Sequence, residues 1–193
     1  HVPYMEAYNA SVADDQKLAA VIGVHYEPYA LYPGKTKTLE ELKDGATITV
    51  TNDPSNEARA LLLLESADLI KLREGAGLAA TIADITENPK NLNIMEIEAA
   101  QLPRTLPDVD MAVINGNFAL DAGLSPSKDA IFVEPADGEA GKTYTNYIVV
   151  RAADAEAPWV ETLRETLCSQ KVYDFIMNND AYKGGVIPAF TVG

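Results

Sequence analysis

Short apolar runs of strand type alternate along the chain with stretches of helical period, the pattern of an α/β protein. Leu18 to Tyr26, rich in Val and Ile, reads as a strand, and Thr47 to Thr51 alternates with period two. Leu92 to Glu98 has the same period, and Met111 to Ile114 is a short buried strand ending at Asn115. Further strands are expected at Ala130 to Val133 and Tyr144 to Arg151. Between them, Thr38-Leu39-Glu40-Glu41 has capping-box spacing and predicts a short helix ending near Gly45. Asn52-Asp53-Pro54 predicts a turn with proline at the first helical position, opening a helix that runs through Leu64 and stops around Asp68. Ile82 to Glu87 reads as helical. The longest helix is expected over Pro158 to Asn178, with Trp159, Leu163, Leu167 and Phe175 roughly on one face.

The softest junctions are Leu31 to Lys37 and Pro135 to Lys142, which enclose a self-contained block of about a hundred residues. With both junctions as crossovers, that block is a second lobe inserted into a first. Proteins of that design hold their ligand at the carboxyl ends of strands, in the cleft.

Charge narrows the partners. The 193 residues carry 15 basic and 29 acidic side chains, a net charge of −14, which disfavours nucleic acid and anionic membrane surfaces, since both need a basic face. The longest apolar runs, Leu18 to Ile22 and Ala60 to Leu64, are far short of the roughly 20 residues of a membrane-spanning helix. One cysteine, Cys168, excludes an internal disulfide and a thiolate cage, and with only His1 and His25 beside it no metal site is expected. The chain opens on His1-Val2-Pro3-Tyr4 rather than methionine, so upstream sequence is expected to be missing.

Among residues that could carry chemistry, Arg59 is the most informative. It lies about one turn into the helix marked by Asn52-Asp53-Pro54, and it is the sole Lys or Arg between Lys43 and Lys71. A cation there is mildly unfavourable to the helix, yet beside free backbone N–H groups it makes a site for a carboxylate or phosphate. The plain alternative is a surface arginine paired with Asp53 or Glu57. Asn115 follows a buried strand and Asn146 sits inside an apolar one; a buried amide must be hydrogen-bonded, to backbone or to ligand. Together with Arg59 they resemble an amino-acid clamp. Tyr4, Tyr8, Tyr26, Tyr29 and Tyr32 crowd the first stretch, either as pocket wall or as packing around a hinge. Gly75-Ala76-Gly77-Leu78-Ala79-Ala80 fits G-x-G-x-x-A, with Glu96 about twenty residues on, but the preceding Leu69 to Leu72 is a poor strand, and a turn is the plainer account. No nucleophile elbow is present and neither histidine has a placed nucleophile. The groups bind; none reacts, so no enzyme and no cofactor is expected.

These segments resemble one family, the methionine-binding lipoproteins of ABC importers (MetQ/NlpA type). The resemblance is carried by His1-Val-Pro-Tyr4, Asn52-Asp-Pro-Ser-Asn-Glu-Ala-Arg59-Ala-Leu-Leu-Leu-Leu, Glu87-Asn-Pro-Lys-Asn-Leu-Asn, Glu98-Ala-Ala-Gln-Leu-Pro-Arg104, Ala112-Val-Ile-Asn115 and Asn146-Tyr-Ile-Val-Val-Arg151. It implies a two-lobed periplasmic-binding-protein fold with two crossovers, residues 34–138 forming the second lobe and residues 1–33 with 139–193 the first, whose start lies outside this chain. It implies that Arg59 holds the ligand carboxylate, that Asn115 and Asn146 fix its amino-acid end, and that His1 and Tyr4 line the pocket. It implies further an extracytoplasmic, lipid-anchored protein, with a signal peptide and anchor cysteine upstream, that passes L- or D-methionine or a methionine-containing peptide to a cognate permease; the acidic charge suits a monomer. Met5-Glu6 after the tyrosine, and Gly116-Asn117-Phe118 after Asn115, depart from the family pattern and bear on side-chain selectivity. Two rivals differ in class: a surface lipoprotein for adhesion with a vestigial pocket, and a dinucleotide enzyme built on Gly75 to Ala80.

Overall fold

The computed structural model of the chain describes residues 1–135, 139–182 and 184–192. In chain order the elements are α1 (Val2–Ser11), β1 (Leu18–Tyr26), β2 (Ala30–Pro33), β3 (Thr47–Thr51), α2 (Pro54–Ser66), β4 (Lys71–Leu72), β5 (Ile85–Glu87) and β6 (Asn93–Ile97). They continue with α3 (Leu102–Thr105), β7 (Met111–Ile114), α4 (Gly116–Asp121), α5 (Pro126–Asp129), β8 (Phe132–Val133), α6 (Glu139–Thr143), β9 (Asn146–Arg151), α7 (Pro158–Leu167), α8 (Gln170–Asn178) and β10 (Ile187–Pro188). The chain divides into two units, one of His1–Glu27 with Pro135–Gly193 and one of Pro28–Glu134.

The Pro28–Glu134 unit is built on a mixed five-stranded sheet of order β6-β3-β7-β2-β8. Strands β6, β3 and β7 are parallel, while β2 runs antiparallel to both β7 and β8. Ile48, Thr49, Val50 and Thr51 of β3 and all four residues of β7 are buried, as central parallel strands covered on both faces must be. Period two then sorts neighbouring residues to opposite faces. Leu31, Met111 and Val113 join one core with Ile48, Val50, Leu61, Leu64 and Ile70, while Ala30, Tyr32, Ala112 and Ile114 join another with Leu102 and Ala119.

Helix α2 closes the first of these cores because its ends are specified locally. Asp53 Oδ1 accepts from the Asn56 N–H at 3.0 Å, Pro54 follows the cap, and Ala58, Ala60, Leu61, Leu63 and Leu64 bury against the sheet. It ends at Ser66, and Asp68 just past the Ala67 cap turns the chain with a left-handed φ of 56°, a conformation aspartate tolerates. Gly34, just past β2, permits a close backbone crossing: a Cβ there would lie 2.3 Å from the Val109 carbonyl oxygen and 2.5 Å from that of Leu106.

The other unit carries a three-stranded antiparallel sheet, β10-β1-β9. β1 and β9 pair from Leu18↔Arg151 to His25↔Asn146 with two irregularities, at Ala20/Ile22 and Gly23/His25. Helix α1 is capped by the His1 ring, whose Nδ1 accepts from the Tyr4 N–H at 3.3 Å, and is tied to β1 by a reciprocal pair between Asn9 and the Leu18 backbone. Ile22, Tyr26, Tyr144, Val160 and Ile176 are its buried apolar residues alongside Val186. Among the described residues no helix is long and apolar enough to cross a membrane.

Several elements differ from the sequence expectations. Residues 38–45 make only turns; Thr38 Oγ1 does accept from the Glu41 N–H at 3.3 Å, but Leu42 is drawn into the core and the Lys90 ammonium takes its carbonyl. Ile82 to Glu87 is a single 3-10 turn, boxed by Thr81 and Asp84, followed by β5. The long helix is broken at Cys168-Ser169 into α7 and α8, Ser169 being extended at φ −87°, ψ 157°. Most consequential, β2 is hydrogen-bonded between β7 and β8, so residues 28–33 belong to the inserted unit and its first boundary lies after Glu27 rather than after residue 33. The second expected boundary, after residue 138, lies outside the described residues; the junction falls between Glu134 and Pro135.

Candidate functional site

Adjacent parallel strands β3 and β7 each end by feeding a helix, β3 through Asn52-Asp53 into α2 and β7 through Asn115 into α4. Loops of this kind, at the carboxyl edge of a parallel sheet, are where α/β proteins place ligand groups. Arg59 and Asn115 both arise there. Asn115 is the N-cap of α4 but its side chain makes no cap bond. Its Oδ1 is buried and has no hydrogen-bond donor among the described residues, so it is an acceptor suited to an N–H group.

Arg59 is only 5% exposed, and the sequence alternative of a surface arginine paired with Asp53 or Glu57 does not hold. Asp53 caps α2, and Glu57 Oε1 accepts from the Ile82 N–H at 3.1 Å. Burial pushes the Glu57 carboxyl above its ordinary range against that hydrogen bond, with the Glu96 and Asp84 charges adding to the rise. The partner of Arg59 is Glu134, itself buried. Arg59 Nε donates to both carboxylate oxygens at 3.1 Å, and Nη2 donates to Oε2. The guanidinium carbon also stands 4.5 Å from the centroid of the Tyr29 ring, a cation–π geometry.

Glu134 is held in turn by the backbone. Its N–H donates to the Tyr29 carbonyl at 2.9 Å, and its Oε2 accepts from the Tyr29 N–H at 3.1 Å, one step beyond the β2–β8 pair Ala30↔Val133. Sequence reading missed Glu134 altogether and took Tyr29 only as one of several aromatics. The available signal was an acid closing the apolar run Ala130 to Val133 directly before Pro135.

In the other unit, the His1 ring stands between Tyr4 and Tyr144 as a ring contact of both. The His1 ring lies edge-on to Tyr144 at 5.2 Å and to Tyr4 at 6.2 Å. Asn146 opens β9 two residues after Tyr144 and pairs with His25 across the sheet. Tyr4 is 56% exposed, while Tyr26, Tyr29 and Tyr32 are buried. The five expected site residues thus fall as Arg59 and Asn115 in one unit, and His1, Tyr4 and Asn146 in the other.

The Gly75 to Ala80 segment is not a dinucleotide turn. The strand before it, β4, has two residues and pairs antiparallel with β5, and a three-residue 3-10 turn at Gly77–Ala79 stands where a helix would have to begin. No cluster of three metal-ligating side chains occurs among the described residues.

A two-unit α/β chain with a buried arginine on the helix that follows one strand, and an acceptor amide at the end of the parallel strand beside it, has the organisation of a substrate-binding protein. Solved structures agree: the chain is similar to a nutrient binding protein from Burkholderia cenocepacia bound to methionine, with a TM-score of 0.90 and 44% identity, covering 98% of this chain and 77% of that one. The family model described as NlpA lipoprotein matches residues 1–190, and the chain belongs to that family. It is 46% identical over 187 residues to outer membrane lipoprotein 3 of Mannheimia haemolytica, covering 97% of this chain and 68% of that protein. It is 42% identical over 189 residues to the D-methionine-binding lipoprotein MetQ of Escherichia coli K12, covering 97% and 67%. The substrate-binding-protein fold implied by the resemblance is therefore the fold of this chain.

Proposed function

We propose that this protein is an extracytoplasmic, lipid-anchored substrate-binding protein that binds methionine, in its L- or D-form, and delivers it to an ABC permease as a monomer. The observation that carries the reading is the donor-less Asn115 Oδ1 at the end of β7, beside the parallel strand β3 that leads into the helix bearing the buried Arg59, in a chain similar to a methionine-bound structure. The guanidinium takes the ligand carboxylate, and Asn115 Oδ1 accepts from its ammonium. Asn146 adds a second amide, and His1 and Tyr4 flank the thioether side chain. Burying that side chain contributes about 1.5–3 kcal/mol. The protein's task ends with binding: the ligand favours whichever state holds it with the larger set of contacts, and no bond is made or broken.

Calorimetric titration with L-methionine, D-methionine and leucine tests the reading. Arg59→Ala would strand Glu134 as a buried, unpaired carboxylate and endanger the fold. Arg59→Lys is therefore the informative variant, since it keeps a cation but loses the planar fork. We expect one-to-one binding of a methionine isomer by the wild type, weakened about 10–100-fold by Arg59→Lys. Equal affinity in the two proteins would overturn the assignment of Arg59, and no binding of either isomer would overturn the ligand.

A further inference from the structure

We infer, building on the proposed methionine site, that Glu134 is the positioning residue for Arg59 and so sets how strongly the site discriminates in favour of a ligand carboxylate. A guanidinium on four flexible bonds is a poor receptor unless something fixes its plane, because ordering it on binding costs affinity. Here the fixing is already done. Glu134 engages the Nε and Nη2 edge through three contacts, and the guanidinium carbon stands over the Tyr29 ring.

The carboxylate that does this is unusually well anchored. The Glu134 N–H donates to the Tyr29 carbonyl, and the Tyr29 N–H donates to Glu134 Oε2. The placement of the carboxylate follows from strand pairing rather than from a free side-chain rotamer. Glu134 and Tyr29 also stand at the two ends of the inserted unit, beside the junctions Glu27–Pro28 and Glu134–Pro135. The arginine on α2 is thereby registered to the two strands through which the chain enters and leaves that unit.

As a stabilising device the pair is a weak choice, since the desolvation of two charges offsets most of their attraction and apolar residues would serve as well. As a receptor it is well suited. Glu134 balances the buried cation, and a ligand carboxylate then meets a guanidinium whose plane is set in advance. A net-neutral pair also suits a zwitterion, which brings no net charge into the site.

The test compares the wild type with Glu134→Gln and Glu134→Asp, by titration with L-methionine and, by competition, with methioninamide, which lacks the carboxylate. Positioning predicts that Glu134→Gln weakens methionine about tenfold or more while the amide changes less than about twofold, so that discrimination between the two collapses. Glu134→Asp, which keeps the charge on a shorter stem, is expected to give a smaller loss with the same selectivity for methionine. It also decides the matter if the glutamine variant fails to fold. Parallel losses for methionine and amide would show a merely structural role, and unchanged affinities would show no role; either overturns the inference. A ligand-free readout separates this from the proposed function. The Arg59 Nε–H resonance should exchange slowly in the wild type and rapidly in Glu134→Gln, whatever the protein binds, and equal exchange in the two would refute the positioning. Failure of the wild type to bind methionine would count against the proposed function alone.

Discussion

Replacing Asp110 with alanine should loosen the inserted unit in a way that depends on pH. Asp110 precedes β7, and its carboxylate joins two other segments: Oδ2 accepts from the Thr47 N–H at 2.8 Å, at the start of β3, and Oδ1 accepts from the Thr36 hydroxyl at 2.7 Å, past the end of β2. The Thr47 N–H holds this carboxyl below the ordinary carboxylate range, the Thr36 hydroxyl adds to the lowering, burial opposes it, and Lys35 and Lys43 assist. A hydrogen bond to a charged group is worth about 1.5–3 kcal/mol, and both donors are half-buried, so water recovers part of that on removal. A loss of about 2–3 kcal/mol at pH 7 is the working figure for Asp110→Ala. Because the folded-state pKa is depressed, this stabilisation is present above the unfolded value of about 3.9 and is lost as pH falls through the lower folded value. Trp159, the single tryptophan, lies in the other unit, so urea unfolding should be followed by far-UV circular dichroism rather than by tryptophan emission. The gap between wild type and variant should be widest near pH 7 and should narrow below pH of about 4. A gap that stayed constant down to pH of about 2, or one under about 0.5 kcal/mol at neutrality, would refute the reasoning.

Two further outcomes follow from the same unit. Glu57 has its carboxyl raised chiefly by burial, so the stability it lends is fully present below the ordinary glutamate range and is lost as pH rises through the folded value; Glu57→Gln, which keeps an acceptor for the Ile82 N–H, should flatten that decline in melting experiments run from acid to neutral pH. Gly34→Ala places a methyl against the Val109 and Leu106 carbonyl oxygens, and relieving the clash strains the bonds from Gly34 N–H to Asp110 and from Lys35 N–H to Val109, both 2.9 Å. A loss of about 2–4 kcal/mol in thermal or urea unfolding is expected.

Much of the inserted unit was legible in the sequence, because β3, β7 and α2 carry undiluted periods and α2 announces its start with Asn52-Asp53-Pro54. β2 was not. Four residues ending in proline and glycine look like a junction, and only the partners on either side, distant in sequence, make Ala30–Pro33 a strand. The break between α7 and α8 was hidden for the opposite reason: the apolar stripe continues through Cys168-Ser169, while the Ser169 hydroxyl turns back to the Thr166 carbonyl and its own carbonyl starts the next helix. The candidate site divides in the same way. Arg59 stands out locally as a cation in the first half of a helix, and Asn115 as an amide ending a buried strand. Glu134 is 75 residues from Arg59, and nothing local relates them; the link exists only once β8 pairs with β2.

The central claim is that Arg59 and Asn115 receive the two polar ends of methionine. A crystal structure of the protein with bound L- or D-methionine tests it most directly. The account predicts the ligand carboxylate on the Arg59 guanidinium, with Glu134 still engaged on its Nε edge, and the ligand ammonium within hydrogen-bond distance of Asn115 Oδ1. A methionine bound with its carboxylate elsewhere, or with Asn115 Oδ1 left without a donor, would contradict it.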